Sequence, residues 1–476
     1  MNGRNKILLT GVSGYVGGRL LKILEQSDKY EITCLARKPE YIKSRVSPDT
    51  KVLCGDVLNY DSLVSALKNV DIAFYLVHSM GSKKSFEQLD REGAKNFGKA
   101  AKKNGVKKII YLGGLGDSSK HLSPHLQSRH ETGEILRQSG VKVIEFRSSI
   151  VIGNGSLSFE LIRNLVEKLP IMTTPKWVQV KTQPIAVSDL LKYLEKAIEL
   201  EVMESKIFEI GSPEVVSYRD LMKEYCKQRG LNRIIIPVPV LTPWLSSLWL
   251  GLVTPVYARV GRKLVDSLKH PTVISNNSAN EYFDIKPMSV ADSITNALKE
   301  EKDFYQNRWS DSLAAGNTYK TFSEKRPTAK FIDSRTIEVN KTREKAFEPI
   351  KKIGGQTGWY YGNWLWKLRS YIDLLVGGVG IRRRRRDPEE IKVGDVIDWW
   401  RVEEYRENNY IRLFAEMKIP GEAFLEFNVA GKNGKSTITQ TATFYPAGFF
   451  GIIYWYILYP VHSLMFKGML KNIALN

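Results

Sequence analysis

Between residues 6 and 151 short apolar runs alternate with longer stretches in which apolar positions recur three or four apart. That alternation is how parallel strands, buried on both faces and joined by crossover helices, read in a sequence. Strands are predicted at 6–10, 31–36, 51–54, 72–77, 108–112 and 141–146. Right-handed crossovers then give a doubly wound parallel α/β sheet. The mixed style continues with a helix over 159–168, a strand over 183–187, a helix over 188–199 and a strand over 206–210, so 152–300 reads as the substrate-side half of a domain spanning 1–300. Residues 301–330 turn polar and read as a linker. Beyond it the order changes: a strand at 331–339, helices at 342–353 and 364–376, alternating strands at 399–405, 411–417, 424–429 and 436–444, then one long apolar helix. A strand, two helices, an antiparallel meander and a last helix predict an α+β domain, 331–476, whose curved sheet wraps one helix. No internal repeat is visible.

Composition narrows the class. The chain has 476 residues, with 71 Lys and Arg against 51 Asp and Glu, a net charge of +20. Its length excludes a small disulfide scaffold, and 43% hydrophobic with 26% charged residues excludes disorder throughout. Cys34, Cys54 and Cys226 are odd in number and far apart, with no Cys-x-x-Cys pair. No metal site or disulfide framework is predicted, and a reducing cytoplasm is the expected setting. The N-terminus lacks the apolar core of a secretory signal, so export is not expected. The positive balance suits phosphates, nucleic acid or an anionic membrane face without choosing among them.

Two uncharged stretches raise a membrane question. Residues 436–466 contain no Asp, Glu, Lys or Arg, and 234–258 is similarly uncharged but carries four prolines. The order of expectation is buried core, then peripheral membrane contact, then a true span, because Pro460 and His462 interrupt the first stretch and prolines the second.

The clearest chemistry follows the first strand, in Thr10-Gly11-Val-Ser13-Gly14-Tyr15-Val16-Gly17, which opens a helix predicted over 18–26. Glycines there allow a tight turn and a close backbone approach to a pyrophosphate, and the helix N-terminus adds partial positive charge. This Gly-x-x-Gly-x-x-Gly spacing resembles the extended and atypical branches of the short-chain dehydrogenase/reductase superfamily, whose fold is Rossmann-like. The second strand ends in Arg37-Lys38, where an NAD-selective site would carry an acid, so NADP(H) is expected, with NAD the second candidate; an exposed basic pair is the alternative. Asp56-Val57 matches the superfamily's residues facing adenine, though an Asp at a strand end fits a helix cap equally. Leu76-Val-His78-Ser79 ends the fourth strand on the nicotinamide side.

The catalytic pattern departs from the superfamily. Carbonyl-reducing members carry a Ser after the fifth strand and a Tyr-x-x-x-Lys pair. Here Gly113 stands at the serine position, His125 in the tyrosine register and Arg129 in the lysine register. The resemblance, over residues 5–300, is to NmrA-like dehydrogenase homologues and nucleotide-binding subunit relatives of respiratory complex I. It implies either an oxidoreductase acting on an apolar or quinone-like substrate through His78, His125 and Arg129, or a non-catalytic NADP(H) sensor or assembly protein.

The last domain resembles an uncharacterised bacterial domain fused behind such dehydrogenases and is similar in element order to the START-like helix-grip fold. That likeness implies a cavity for an apolar ligand, with Trp359, Trp364, Trp366, Trp399, Trp400 and Phe427 as lining or as ordinary core. The run Arg382 to Arg386, followed by Asp387, Glu389 and Glu390, reads as solvated or locally paired before it reads as an anion site. No nucleic-acid-binding module accompanies the charge, so no nucleic-acid partner is expected.

Overall fold

The computed structural model describes residues 4–43, 45–78, 86–117, 122–237, 267–300, 331–375, 385–432 and 434–476. The expected linker 301–330, most of the proline-rich stretch 234–258, Ser79 and Arg382 to Arg384 lie outside the described residues. The chain divides into two compact units, Met1–Asn317 and Thr318–Asn476.

The first unit is built on strands β1 (Asn5–Thr10), β2 (Tyr30–Ala36), β3 (Lys51–Cys54), β4 (Ile72–Tyr75), β5 (Lys108–Gly114), β6 (Lys142–Ser148) and β7 (Lys206–Ile210). They lie in the order β7-β6-β5-β4-β1-β2-β3, every neighbouring pair parallel. Helices α1 (Tyr15–Leu24), α2 (Tyr60–Ala66), α3 (Phe86–Lys103), α4 (Pro124–Arg137) and α5 (Val187–Glu199) cover both faces. The period of two in each strand sorts side chains to opposite cores. Ile7 and Leu9 join Leu20, Leu194 and Phe146 beneath α1 and α5, whereas Leu8, Ile109 and Tyr111 join Leu63 and Phe97 beneath α2 and α3. Burying each such large apolar side chain contributes about 1.5–3 kcal/mol. A third cluster, including Phe159, Tyr218, Tyr225 and Ile294, packs within 150–297, the half expected on the substrate side.

The expected strands of the parallel sheet agree in place with those observed, but the one expected over 183–187 is only Ile185–Ala186, paired with Val151–Ile152 outside that sheet, and Val187 already opens α5. The first helix starts at Tyr15, three residues before the expected 18, because Gly17 and Gly18 sit inside its first turns where propensity argues against helix.

The second unit holds strands β8 (Phe331–Val339), β9 (Val396–Ile397), β10 (Trp400–Arg406), β11 (Tyr410–Ala415), β12 (Gly421–Lys432) and β13 (Lys435–Pro446). They form an antiparallel sheet in the order β8-β13-β12-β11-β10-β9, with helices α6 (Arg343–Lys351), α7 (Asn363–Leu375) and α8 (Gly448–Leu475). Trp359, Trp366, Trp399 and Trp400 are buried and pack on one another with ring centroids 5.4–6.2 Å apart, and Phe427 is fully buried. Trp364, expected inside, is 67% exposed, because it lies two positions before Trp366 and so on the opposite face of α7. Of the arginine run, Arg386 pairs in bidentate fashion with Asp395 at 2.9 Å, and Arg385 donates to the Ile353 and Glu390 carbonyls, so these two are locally paired. The expected burial of the terminal helix fails in part: only 22% of its most apolar stretch is inside the protein. A single stripe of α8, through Trp455, Met465, Phe466, Met469 and Ile473, meets the sheet and its flanking helices.

Candidate functional site

The strand order reverses between β1 and β4, which in open α/β sheets opens a crevice at the C-terminal strand ends. Thr10 ties the two strands there: its Oγ1 donates to the Phe74 carbonyl at 2.8 Å and accepts the Leu76 N–H at 3.3 Å. Gly11 follows with φ +71°, and a Cβ on it would overlap the Leu76 carbonyl oxygen. A Cβ on Gly17 would overlap the Gly11 carbonyl, so α1 can approach β1 this closely only with glycine at that position. Gly14 donates to the Gly11 carbonyl at 2.8 Å and caps α1 without any side-chain acceptor for the first-turn N–H groups. Such an end carries roughly half a positive charge and accepts a phosphate-type anion. The residues present therefore fit a dinucleotide pyrophosphate.

Ser13 and Val16 are half-buried at this turn. Tyr15 behaves differently: its ring is buried in the core with the Arg19 guanidinium 4.0 Å from its centroid, and burial pushes its hydroxyl well above the ordinary range. Only its backbone faces the role expected of it.

Arg37 is exposed at the end of β2, and the neighbouring Lys38 donates to the Tyr41 hydroxyl at 3.2 Å while lying 4.9 Å from that ring's centroid. Asp56 accepts the Leu58 N–H at 3.1 Å, while the helix cap next to it is supplied by Asn59, which accepts the Ser62 N–H. Of the two roles weighed for Asp56, capping belongs to Asn59, and Asp56 shapes the turn. Val57 beside it is held by Asn96, whose amide donates to the Val57 and Leu58 carbonyls.

Past β4, Leu76 sits against Gly11, and His78 meets both α3 and α4. Its Nδ1 lies 2.9 Å from Oδ2 of Asp90 on α3, a carboxylate 5% exposed that also accepts from Ser128 Oγ on α4 at 3.2 Å. The His125 ring stands 4.9 Å from that of His78, and His125 Nδ1 is 3.1 Å from Ser267 Oγ. Local sequence explains the placement of His125: Ser123 caps α4 by accepting the Leu126 N–H, and Pro124 takes the first helical position, so His125 falls in the first turn.

Arg129, one turn further on, donates to the Leu112 carbonyl and stacks 5.2 Å from the Tyr111 ring centroid. Tyr111 in turn donates to the Arg129 carbonyl at 2.9 Å, and burial raises its hydroxyl pKa far above neutrality, so it does not replace the missing acidic tyrosine. Gly113 is buried, with Glu145 Oε1 3.1 Å from where its Cβ would stand. The structure thus gathers His78, His125 and the loop residues at one end of the sheet, with Arg129 at the neighbouring strand end.

Sequence reasoning missed Asp90, Ser128 and Glu145. Asp90 was readable as an acid on the apolar face of α3, one turn before Ala94 and two before Phe97. Glu145 was readable as a carboxylate inside the run Val143-Ile144-Glu145-Phe146. It is fully buried between Arg137 and Arg147.

Residues 11–150 match the family described as NAD(P)H-binding, and 326–469 match a family of proteins of unknown function. The auxiliary protein GraX of Staphylococcus aureus is 33% identical over 114 residues, 23% of this chain. The match spans 36% of that relative's length. The sanguinarine reductase of Eschscholzia californica is 26% identical over 250 residues, covering 43% of this chain and 88% of that one. The NADPH-dependent quinone oxidoreductase of Escherichia coli, solved with NADPH, superposes with a TM-score of 0.50 at 18% identity over 61% of this chain and 99% of that one, a likeness of fold. The glycine loop, the sheet order and these matches make the N-terminal unit a Rossmann-like domain that is similar, over residues 11–150, to the NAD(P)H-binding family.

Proposed function

We propose that this chain is an NADP(H)-dependent reductase of an apolar or quinone-like substrate. The observation that carries the reading is the meeting of His78 and His125 at the strand ends next to an uncapped, glycine-lined helix N-terminus. The dinucleotide, when bound, supplies a hydride. The chain supplies the rest: the α1 N-terminus and Gly11, Gly14 and Gly17 hold the pyrophosphate, Arg37 and Lys38 meet a 2′-phosphate, and Asp56 and Val57 border the adenine. His125 gives a proton to the reduced oxygen, and Asp90 fixes the ring of His78 and the nitrogen that carries its proton. Arg129 keeps a positive charge near the reacting centre. The reductase and oxidoreductase similarities support this class of reaction.

The test is a titration with NADPH and NADH, read by ligand fluorescence and melting temperature, followed by oxidation of bound NADPH with quinones and aldehydes. Acceptor-dependent oxidation supports the reductase. Binding of neither nucleotide sinks the reading.

A second reading, a non-catalytic NADP(H) sensor or assembly protein in the cytoplasm or at a membrane, is favoured by Gly113 in the serine position and by the Arg129 guanidinium engaged with the Leu112 carbonyl. Tight binding without turnover, joined to different partner capture with NADP+ and NADPH, selects it. For the second unit we propose a START-like helix-grip domain with an apolar ligand, on its element order alone.

A further inference from the structure

The second unit carries an apolar surface for which water is a poor neighbour. On α8, Phe449, Phe450, Tyr456, Ile457 and Leu464 are 58–78% exposed. On α7, Trp364, Leu368, Tyr371 and Ile372 recur at helical spacing and are 47–67% exposed. The two helices meet where the Arg369 guanidinium donates to the Tyr454 hydroxyl at 3.3 Å and the Trp366 and Phe466 rings stand 6.5 Å apart. A helix that is apolar all round is ordinarily buried, and apolar patches of this kind mark interaction sites.

We infer that the outer faces of α7 and α8 dock on the surface of an anionic lipid bilayer. The charge on these helices points to that occupant. Lys367, Lys467 and Lys471 are exposed, whereas the one acid among the described residues of the two helices, Asp373, is 1% exposed and accepts the Lys418 N–H at 2.7 Å. A face of aromatic and aliphatic side chains flanked by lysines suits headgroup depth on an anionic leaflet. A symmetric contact between two copies would instead set like charges against each other.

The opposite stripe of α8 determines how deep the contact goes. Trp455 lies parallel to Phe331 and Phe444 with centroids 5.4 and 5.8 Å away, a Cβ on Gly451 would overlap the Pro420 carbonyl, and one on Gly468 would overlap the Tyr361 ring. The helix is therefore fixed to the sheet along its length, and lipid reaches only its outer side. It lies in the plane of the interface, as the exposed Pro460 also suits.

This inference does not depend on the reductase reading. The full chain is sedimented with vesicles of phosphatidylglycerol and phosphatidylcholine, with vesicles of phosphatidylcholine alone, and without lipid. It is then repeated with Phe449→Glu/Phe450→Glu, whose native side chains are exposed and whose replacement leaves the melting temperature in place. The expected result is stronger recovery with phosphatidylglycerol, reduced by salt, and a loss of roughly tenfold or more in the double variant, since two phenylalanines leave the lipid. Equal recovery with both vesicles, recovery unchanged in the double variant, or no vesicle binding overturns the inference. So does a lipid-free dimer that the double variant dissociates, which assigns the face to a second copy.

Discussion

His78 Nδ1 stands 2.9 Å from Oδ2 of Asp90, so a residue at the end of β4 is fixed by a buried carboxylate two helical turns before Phe97 in the core. Ser128 brings α4 to the same oxygen. A neutral partner keeps the shape and removes the charge. Asp90→Asn is expected to lower kcat for NADPH oxidation by about ten- to a hundredfold and displace the pH profile, leaving the dissociation constant of NADPH unchanged. An unaltered kcat and profile would separate the pair from the chemistry.

At Gly17, α1 comes as close to the glycine loop as a residue without a side chain allows. With a methyl group overlapping the Gly11 carbonyl, Gly17→Ala must push the helix away from the loop. Overpacking of this type costs about 1–3 kcal/mol of stability. The stabilisation by NADPH in a thermal melt should vanish as well. A variant that melts lower but keeps the full ligand-induced shift would show that the loop does not hold the pyrophosphate.

In the proposed reading, Arg37 and Lys38 select for the 2′-phosphate. Replacing both by serine removes charge-assisted contacts that typically contribute about 1.5–3 kcal/mol, so NADPH should bind some ten- to a hundredfold more weakly. Affinity for NADH should hold within error. Parallel losses for both nucleotides would make the pair a general phosphate attraction rather than a selector.

Much of this was legible in the sequence where one rule governed. β7 and β8 begin and end where the apolar pattern does, since more buried positions alternate with less buried ones along each. Asp90 and Glu145 escaped because each is a lone charge within an apolar pattern, and its partner, His78 or Arg137, comes close only when the sheet closes. The exposure of Phe449 and Phe450 was illegible for a different reason. A helix apolar on every side carries no mark of which side meets the protein, and the contacts of Gly451 and Gly468 decide it.

Glu145 holds two arginines in place from a fully buried position, and Gly133 leaves it the room, since a Cβ there would overlap its carboxylate. Glu145→Gln keeps the volume and takes the carboxylate from Arg147, while Arg137 keeps Glu134 at 2.6 Å. Breaking a buried pair from one side costs about 3–5 kcal/mol. The urea midpoint of the first unit should fall accordingly, and a change within error would mean that water reaches the arginines.

Asp398 offers a test in the second unit. It is 4% exposed, holds φ at 55°, and accepts the Trp359 indole N–H at 2.8 Å. Burial outweighs that bond, the Gly355 N–H and the Arg385 charge, and pushes its carboxyl from 3.8 up to about 6. Below 3.8 the group is protonated in both states. Between 3.8 and about 6 the unfolded chain ionises first, so the folded state loses stability as pH rises through the window and bears the whole cost above it. Asp398→Asn keeps the acceptor and tolerates the left-handed backbone, but cannot ionise. The stability of the natural chain relative to this variant should therefore fall by about 2 kcal/mol between pH 4 and pH 7. Urea unfolding followed by tryptophan emission reads it, because six of the ten tryptophans lie beyond residue 331. A difference that stays flat across this window would mean that Asp398 is ionised in the folded chain at pH 4 and that its hydrogen bonds outweigh its burial.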